Sequence, residues 1–354
     1  MTELRSVRYS VLDLAPVKTG GTVADAFRHT LDVARHAERW GYKRFWVAEH
    51  HNMPGIASAA TAVLIGHVAG GTSTIRVGSG GIMLPNHAAL VVAEQFGTLE
   101  TLYPGRIDLG VGRAPGSDML TARALRRGMD SGEDFPGQVA ELLAYLAPAG
   151  PGQRLKAVPG EGTNVPMWLL GSSTYSAQLA AQMGLPFAFA SHFAPEMLFE
   201  ALRIYRQEFK PSRFLKTSYA MAGVPLIAAE TDAQAEHLAT SPKLRFCSLI
   251  RGHGVFTPPP VDSMDGLWSA DEQRLVESKM AVALVGGPET VKRKATEFVR
   301  ATGVNEVIFT SDIYDHSARL RSFEIGAEVI REVGSGHAAD VTASTGVGHS
   351  TIRR

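Results

Sequence analysis

Eight apolar runs, apolar at consecutive positions rather than alternate ones, constrain the fold of this chain more than any other feature. They are Arg8–Leu14, Phe45–Ala48, Ile75–Leu84, Ile107–Val111, Met167–Leu170, Phe187–Ala190, Tyr219–Ala229 and Val307–Thr310. A strand with one wet face alternates apolar and polar residues. A strand covered on both faces does not, which is the condition of a parallel sheet wrapped by helices.

The segments between the runs have helical spacing. Val23–Trp40 places Val23, Phe27, Leu31 and Ala34 on one stripe and Asp25, Arg28, Asp32, Arg35 and Arg39 opposite, with Thr22 and Asp25 spaced as a capping box. Similar patterns predict helices over Ala59–Gly71, Leu90–Tyr103, Ser176–Met183, Glu196–Phe209, Glu289–Thr302 and Ser317–Glu332, and Gly41, Gly184 and Gly303 stand where C-terminal caps belong.

Eight strands alternating with helices fit a closed (β/α)8 TIM barrel or an open doubly wound sheet. The strand count favours the barrel. So does the ending of run after run in polar or glycine residues: Glu49-His50-His51, Gly78–Gly81, Gly112-Arg113, Gly171-Ser172-Ser173, Ser191-His192 and Ser311-Asp312. A barrel gathers such positions on one rim, where active sites sit. Two insertions interrupt the alternation, Ala114–Pro166 after strand four and Thr240–Lys279 after strand seven. Within the second, residues 249–268 read equally as an active-site lid or a surface excursion. Residues 1–333 are expected to form one domain, and 334–354, small, polar and aperiodic, a disordered tail.

Charge narrows the function. Lys+Arg and Asp+Glu both total 35, so the basic excess that draws a protein to nucleic acid or a membrane surface is missing. A single cysteine, Cys247, leaves no disulfide framework or thiolate metal site within one chain. With no signal-like N-terminus and no apolar run long enough to span a bilayer, a cytoplasmic protein is expected.

Four constellations carry chemistry. In Glu49-His50-His51-Asn52, neighbouring residues of a strand point to opposite faces, so at most one imidazole reaches the rim. There it is a natural general acid/base, or a hydrogen-bonded structural histidine; joint chelation of a metal by adjacent histidines is discounted. In Val77–Pro85, Gly80 and Gly81 mark a bulge or a place where a flat ligand lies against bare backbone. Gly105–Gly116 resembles a dinucleotide fingerprint, but Pro115 stands where the third glycine is required. What remains is a strand delivering Arg113 to the rim, where a guanidinium suits phosphate or carboxylate. In Leu169–Ala181, Gly171, Ser172, Ser173 and Ser176 surround a helix N-terminus, either an ordinary serine cap or an anion site; with Arg113 on the preceding strand, phosphate is the better reading. Gly287-Pro288 at a later helix start offers a weaker alternative.

In order and spacing, FWVAEHHNMPG, VGSGGIMLPNH, AEQFGTLETLYPGRIDLGVGRAPGSD and LGSSTYSAQLAAQMGLPFAFASHF resemble the bacterial luciferase-like flavin-dependent monooxygenases, and the likeness covers residues ~8 to ~333. The resemblance implies a (β/α)8 barrel holding FMN, received reduced from a separate flavin reductase, and a flavin peroxide that oxygenates a small organic substrate. It implies His50 as the catalytic histidine, a non-proline cis peptide at Gly80-Gly81 under the flavin ring, Arg113 as the phosphate arginine and Ser172, Ser173 and Ser176 as the phosphate loop. It also implies a homodimer through the helices near Ala59–Gly71 and Leu90–Tyr103. The luciferase alpha subunit's reactive cysteine, phosphate-loop glutamate and post-strand-six tryptophan are here Gly112, Ser172 and Ser191, so light emission is not implied. Two alternatives remain: a deazaflavin-dependent dehydrogenase on the same barrel, and a non-catalytic flavin-binding protein, against which His50 and Arg113 count.

Overall fold

All eight apolar runs become strands of one parallel sheet: β1 (Arg8–Asp13), β2 (Arg44–Val47), β3 (Arg76–Ser79) continued by β4 (Ile82–Met83), β5 (Ile107–Gly112), β6 (Met167–Gly171), β7 (Phe187–Phe189), β8 (Ala220–Ala228) and, after the short extra strand β9 (Leu284–Gly286), β10 (Glu306–Thr310). The sheet closes because β10 pairs with both β8 and β1, Glu306 standing opposite Met221 and Arg8. Counting β3 and β4 as one stave, the result is a (β/α)8 TIM barrel. β9 lies beside the outer half of β8, with Leu284 opposite Leu226. The structure, a computed structural model, describes residues 7–114, 118–127 and 132–343, those from 333 on as backbone alone.

Around the staves run α1 (Val23–Arg39), α2 (Thr61–Gly70), α3 (Ala89–Leu102), α4 (Met119–Ala124), α5 (Phe135–Leu146), α6 (Thr174–Met183), α7 (Leu198–Glu208), α8 (Asp232–Ile250), α9 (Ala270–Lys279), α10 (Pro288–Thr302) and α11 (His316–Ala343). The capping box of α1 forms: Asp25 N–H donates to Thr22 Oγ1 at 3.1 Å, and Thr22 N–H donates to Asp25 Oδ2 at 3.0 Å. Gly184 (φ +62°) and Gly303 (φ +59°) supply left-handed ends to α6 and α10.

One expectation needs correction. The buried stripe of α1 is Ala26, Thr30, Val33, Ala34 and Ala37 rather than the Val23–Phe27–Leu31 line. Small residues let the helix lie close to the barrel, and the larger ones flank it; Leu31 covers Gly71. The last helix runs to Ala343. Residues 344–354 of the expected tail lie outside the described residues.

Side chains alternate between two cores. Outward residues such as Val11, Phe45, Val77, Leu109, Phe187 and Phe309 pack under the helices. Inward, Leu12, Trp46, Ala48, Trp168, Ala188, Met221 and Ile308 fill the barrel. Below them, at the N-terminal end, lies a buried charged layer. Arg44 bridges Asp108 at 2.6 Å and Glu306 at 3.0 Å, Arg76 reaches Asp108 at 2.6 Å, and Tyr219 Oη donates to Glu306 at 2.8 Å. With that end plugged, the open end is the C-terminal mouth.

Candidate active site

The predicted site residues reach the mouth on four consecutive staves. His50 follows β2, Gly80 and Gly81 join β3 to β4, Arg113 follows β5, and Gly171, Ser172 and Ser173 join β6 to α6, with Ser176 in the first turn of that helix.

The third stave breaks at a cis Gly80-Gly81 peptide, where backbone crosses backbone. A Cβ on Gly81 would lie 2.8 Å from the Gly110 carbonyl oxygen, one on Gly110 2.2 Å from that of Ser79, and one on Gly80 2.6 Å from Leu12. Ser79 Oγ ties the crossing, donating to Gly110 O at 2.8 Å and accepting from Gly110 N–H at 2.9 Å. The outcome is a ledge without side chains beside Arg113.

The Arg113 guanidinium lies over the Tyr175 ring, in the first turn of α6, 4.1 Å from its centroid. Arg127 stands beside it, donating to the Arg113 carbonyl at 3.2 Å and to Asn86 Oδ1 at 3.4 Å. Burial, and then the charge of Arg113, lower the pKa of Arg127. Among the described residues no ion pair claims Arg113. Ser173 is the N-cap of α6 but makes no side-chain cap bond, so the helix start, two guanidiniums and the half-buried hydroxyls of Ser172 and Ser173 converge where an anion is favoured. Ser176 is turned inward, buried against Gly171: a Cβ there would stand 2.3 Å from its Oγ. The alternative phosphate turn at Gly287-Pro288 is filled from within the chain, since Gly287 N–H and Thr290 Oγ1 donate to Asp232 at 2.7 and 3.0 Å.

Of the two adjacent histidines, His51 turns to Glu49. Glu49 is buried, and its Oε1 receives His51 Nε2 at 2.8 Å and His87 Nε2 at 2.9 Å, while Oε2 accepts Met83 N–H at 3.1 Å. Burial alone would raise this carboxyl, but the bonds from His87, His51 and Met83 outweigh it and hold the pKa below its usual value. The three side chains bring ligand-type atoms within 4.8 Å of one another, but with both imidazoles bonded to one carboxylate oxygen, hydrogen bonding accounts for the cluster. Glu49 thus ties the end of β2 to the chain leaving the ledge, which sets the frame for His50.

Besides Arg127, three mouth residues were not singled out by the sequence. His192 follows β7, and Asp312 follows β10 and pairs at 2.6 Å with Arg245 of α8. Arg245 Nε also donates to the Val255 carbonyl at 2.9 Å. That bond helps fix the middle of the 249–268 segment. Thr257 N–H donates to Val17 O at 3.0 Å, Thr19 N–H donates to Thr257 O at 2.9 Å, and a Cβ on Gly55 would lie 2.2 Å from Val255 O. Residues 255–257 are therefore built into the rim beside the loop that carries His50. His192 and Asp312 had a readable signal, standing at polar ends of apolar runs; Arg127 and Arg245, on a loop and a helix, had none.

The profile of the family described as luciferase-like monooxygenase matches residues 7–306. A luciferase-like monooxygenase of Escherichia coli (strain K12) is 53% identical over 93% of this chain and 98% of its own length. The N-acetyl-S-alkylcysteine monooxygenase of Bacillus subtilis (strain 168) is 38% identical over 92% and 98%. Among solved structures, apo-MsnO8 superposes with a TM-score of 0.81 at 35% identity, covering 91% of this chain and 98% of its own. The oxygenating constituent of 3,6-diketocamphane monooxygenase from Pseudomonas putida, in complex with FMN, shares the fold with a TM-score of 0.68 at 17% identity over 92% and 98%.

Proposed function

The chain belongs to the luciferase-like monooxygenase family, and from that membership we propose that it is an FMN-dependent monooxygenase which uses reduced FMN and O₂ to oxygenate a small organic substrate. One oxygen atom enters the substrate and the other leaves as water, with reduced FMN supplying the two electrons. A single observation carries the reading: a cis-glycine ledge bare of side chains and an arginine left without an ion pair among the described residues follow adjoining staves at the same mouth, next to the start of α6.

The residues fit that group. Arg113 and Arg127, with the α6 start and the Ser172 and Ser173 hydroxyls, would hold the phosphate. Ser176 supports the loop from beneath Gly171. The Gly80-Gly81 ledge would carry the ring. His50, on the stave beside it, holds or gives a proton at the mouth, and residues 255–257 keep water out. Thioethers are the first substrate class to try, since the Bacillus subtilis relative is named for an S-alkylcysteine. A transient flavin reductase completes the cycle. A homodimer through α2 and α3 is supported by Val63, Val91 and Leu102, large apolar side chains exposed on those helices.

The test is a titration of the purified protein with FMN, riboflavin and a deazaflavin cofactor, then aerobic incubation with reduced FMN and N-acetyl-S-methylcysteine. Preference for FMN and a product heavier by one oxygen atom support the proposal. Preference for the deazaflavin, with hydride transfer and no oxygen uptake, overturns it in favour of the dehydrogenase.

A further inference from the structure

We propose that His192 is a second imidazole of the reaction chamber, placed to hydrogen-bond a neutral polar group that reacts there; this rests on the flavin oxygenase reading above. The argument begins with which way β8 faces. Met221 and Ile308 belong to the cluster inside the barrel, and Gly223, two residues beyond Met221 and paired with Ile308, faces the same way. The His192 ring lies on that inward face: a Cβ on Gly223 would fall 2.2 Å from Nδ1 and 3.0 Å from Cε1. β8 is the seventh stave and the Gly80-Gly81 ledge breaks the third, so ring and ledge face each other across the mouth.

The Nδ1 atom of His192 is enclosed and, among the described residues, has no hydrogen-bond partner. Two of its polar neighbours are already engaged. Ser191 Oγ donates to the Gly223 carbonyl at 2.6 Å, and Asp312 pairs with Arg245. Most buried side-chain polar atoms in a folded protein have a hydrogen-bond partner. One left unsatisfied inside a chamber is matched to a contact made when the chamber is loaded. Burial pushes this imidazole down to about 4, with Asp312 opposing and His50 adding to the fall. At neutral pH it therefore offers one N–H and one lone pair and no charge. That chemistry suits a hydroxyl, a carbonyl or oxygen derived from O₂, and not an anion.

The test needs no knowledge of the organic substrate. His192→Leu and His192→Gln are compared with wild type for FMN affinity by fluorescence quenching, for thermal midpoint, and for the rate at which bound reduced FMN is reoxidised in air-saturated buffer. ¹⁵N-histidine spectra of the wild type are recorded with and without oxidised FMN, the His192 signal being assigned by its loss in His192→Gln. The proposal expects FMN affinity within about twofold in both variants and a reoxidation rate changed about tenfold in His192→Leu, the size of one lost hydrogen bond. It also expects recovery to within about threefold in His192→Gln and a shift of the His192 signal on FMN binding. A rate in His192→Leu within about twofold of wild type, or an unmoved His192 signal, overturns it. Should His192→Leu fail to fold, the wild-type spectrum decides. Failure of the wild type to bind FMN at all would sink the flavin reading itself, and is seen before any variant is made.

Discussion

The guanidinium carbon of Arg113 lies 4.1 Å from the centroid of the Tyr175 ring. An aromatic face orients a cation without neutralising it, so Arg113 is positioned while its charge stays available. Arg113→Ala is expected to weaken FMN binding about 10–100-fold, the scale of lost charge-assisted hydrogen bonds. Riboflavin, which has no phosphate, should bind wild type and variant alike. Parallel fluorescence titrations with the two ligands check this; equal losses for both would remove the phosphate role.

Asp108 holds together the charged layer beneath the barrel core. It accepts from Arg44 and Arg76 and also from Trp46 Nε1, at 3.2 Å. Asp108→Ala leaves a buried guanidinium short of its counter-charge, which costs about 3–5 kcal/mol. The expected outcome is a chemical-denaturation midpoint lowered accordingly, with mouth chemistry unchanged in the fraction that folds.

Arg245 joins the Asp312 carboxylate to the Val255 carbonyl, one side chain spanning stave eight and the 249–268 segment. Arg245→Met should speed amide hydrogen exchange at Thr257 and its neighbours while leaving the barrel strands protected. Exchange measured by mass spectrometry on peptides covering 250–260 reads it directly. Uniform acceleration across the barrel would show that the pair serves global stability instead.

Acid should destabilise the fold before its carboxylates titrate. His29 stacks on His316 with ring centroids 4.0 Å apart. Burial, with the neighbouring His316, pushes His29 from 6.5 down to about 4. Between those values the unfolded chain binds more protons than the folded one, so stability falls as pH falls through that window. His192 acts with the same sign. His29→Gln should flatten the decline. Urea midpoints for variant and wild type at pH 4.5, 5.5, 6.5 and 7.5 decide; parallel curves would clear His29.

The barrel was legible because its strands are covered on both faces, which leaves unbroken apolar runs at positions the folded staves match within a few residues. Gly80, Arg113 and the Gly171–Ser173 turn were legible because a rim collects strand ends. The pairings across the barrel were not. Arg44 finds Glu306 some 262 positions away, and nothing in the residues around either predicts the meeting. The α1 stripe misled because a helix seated closely on a barrel selects small residues for its contact line, so the strongest apolar signal marked the flank.

The seam between the first and last staves has a consequence for synthesis. β1 is made before every other stave, yet its β10 partner begins at Glu306. At about 5–20 residues per second, roughly 15–60 seconds separate the two on the ribosome. Through that interval one edge of the nascent sheet stays unpaired, with Ser10 awaiting the Glu306 carboxylate it finally donates to. Cotranslational assembly must therefore end in a ring-closing step, and a ribosome-bound chain halted before residue 306 would expose the β1 edge to any strand that could pair with it.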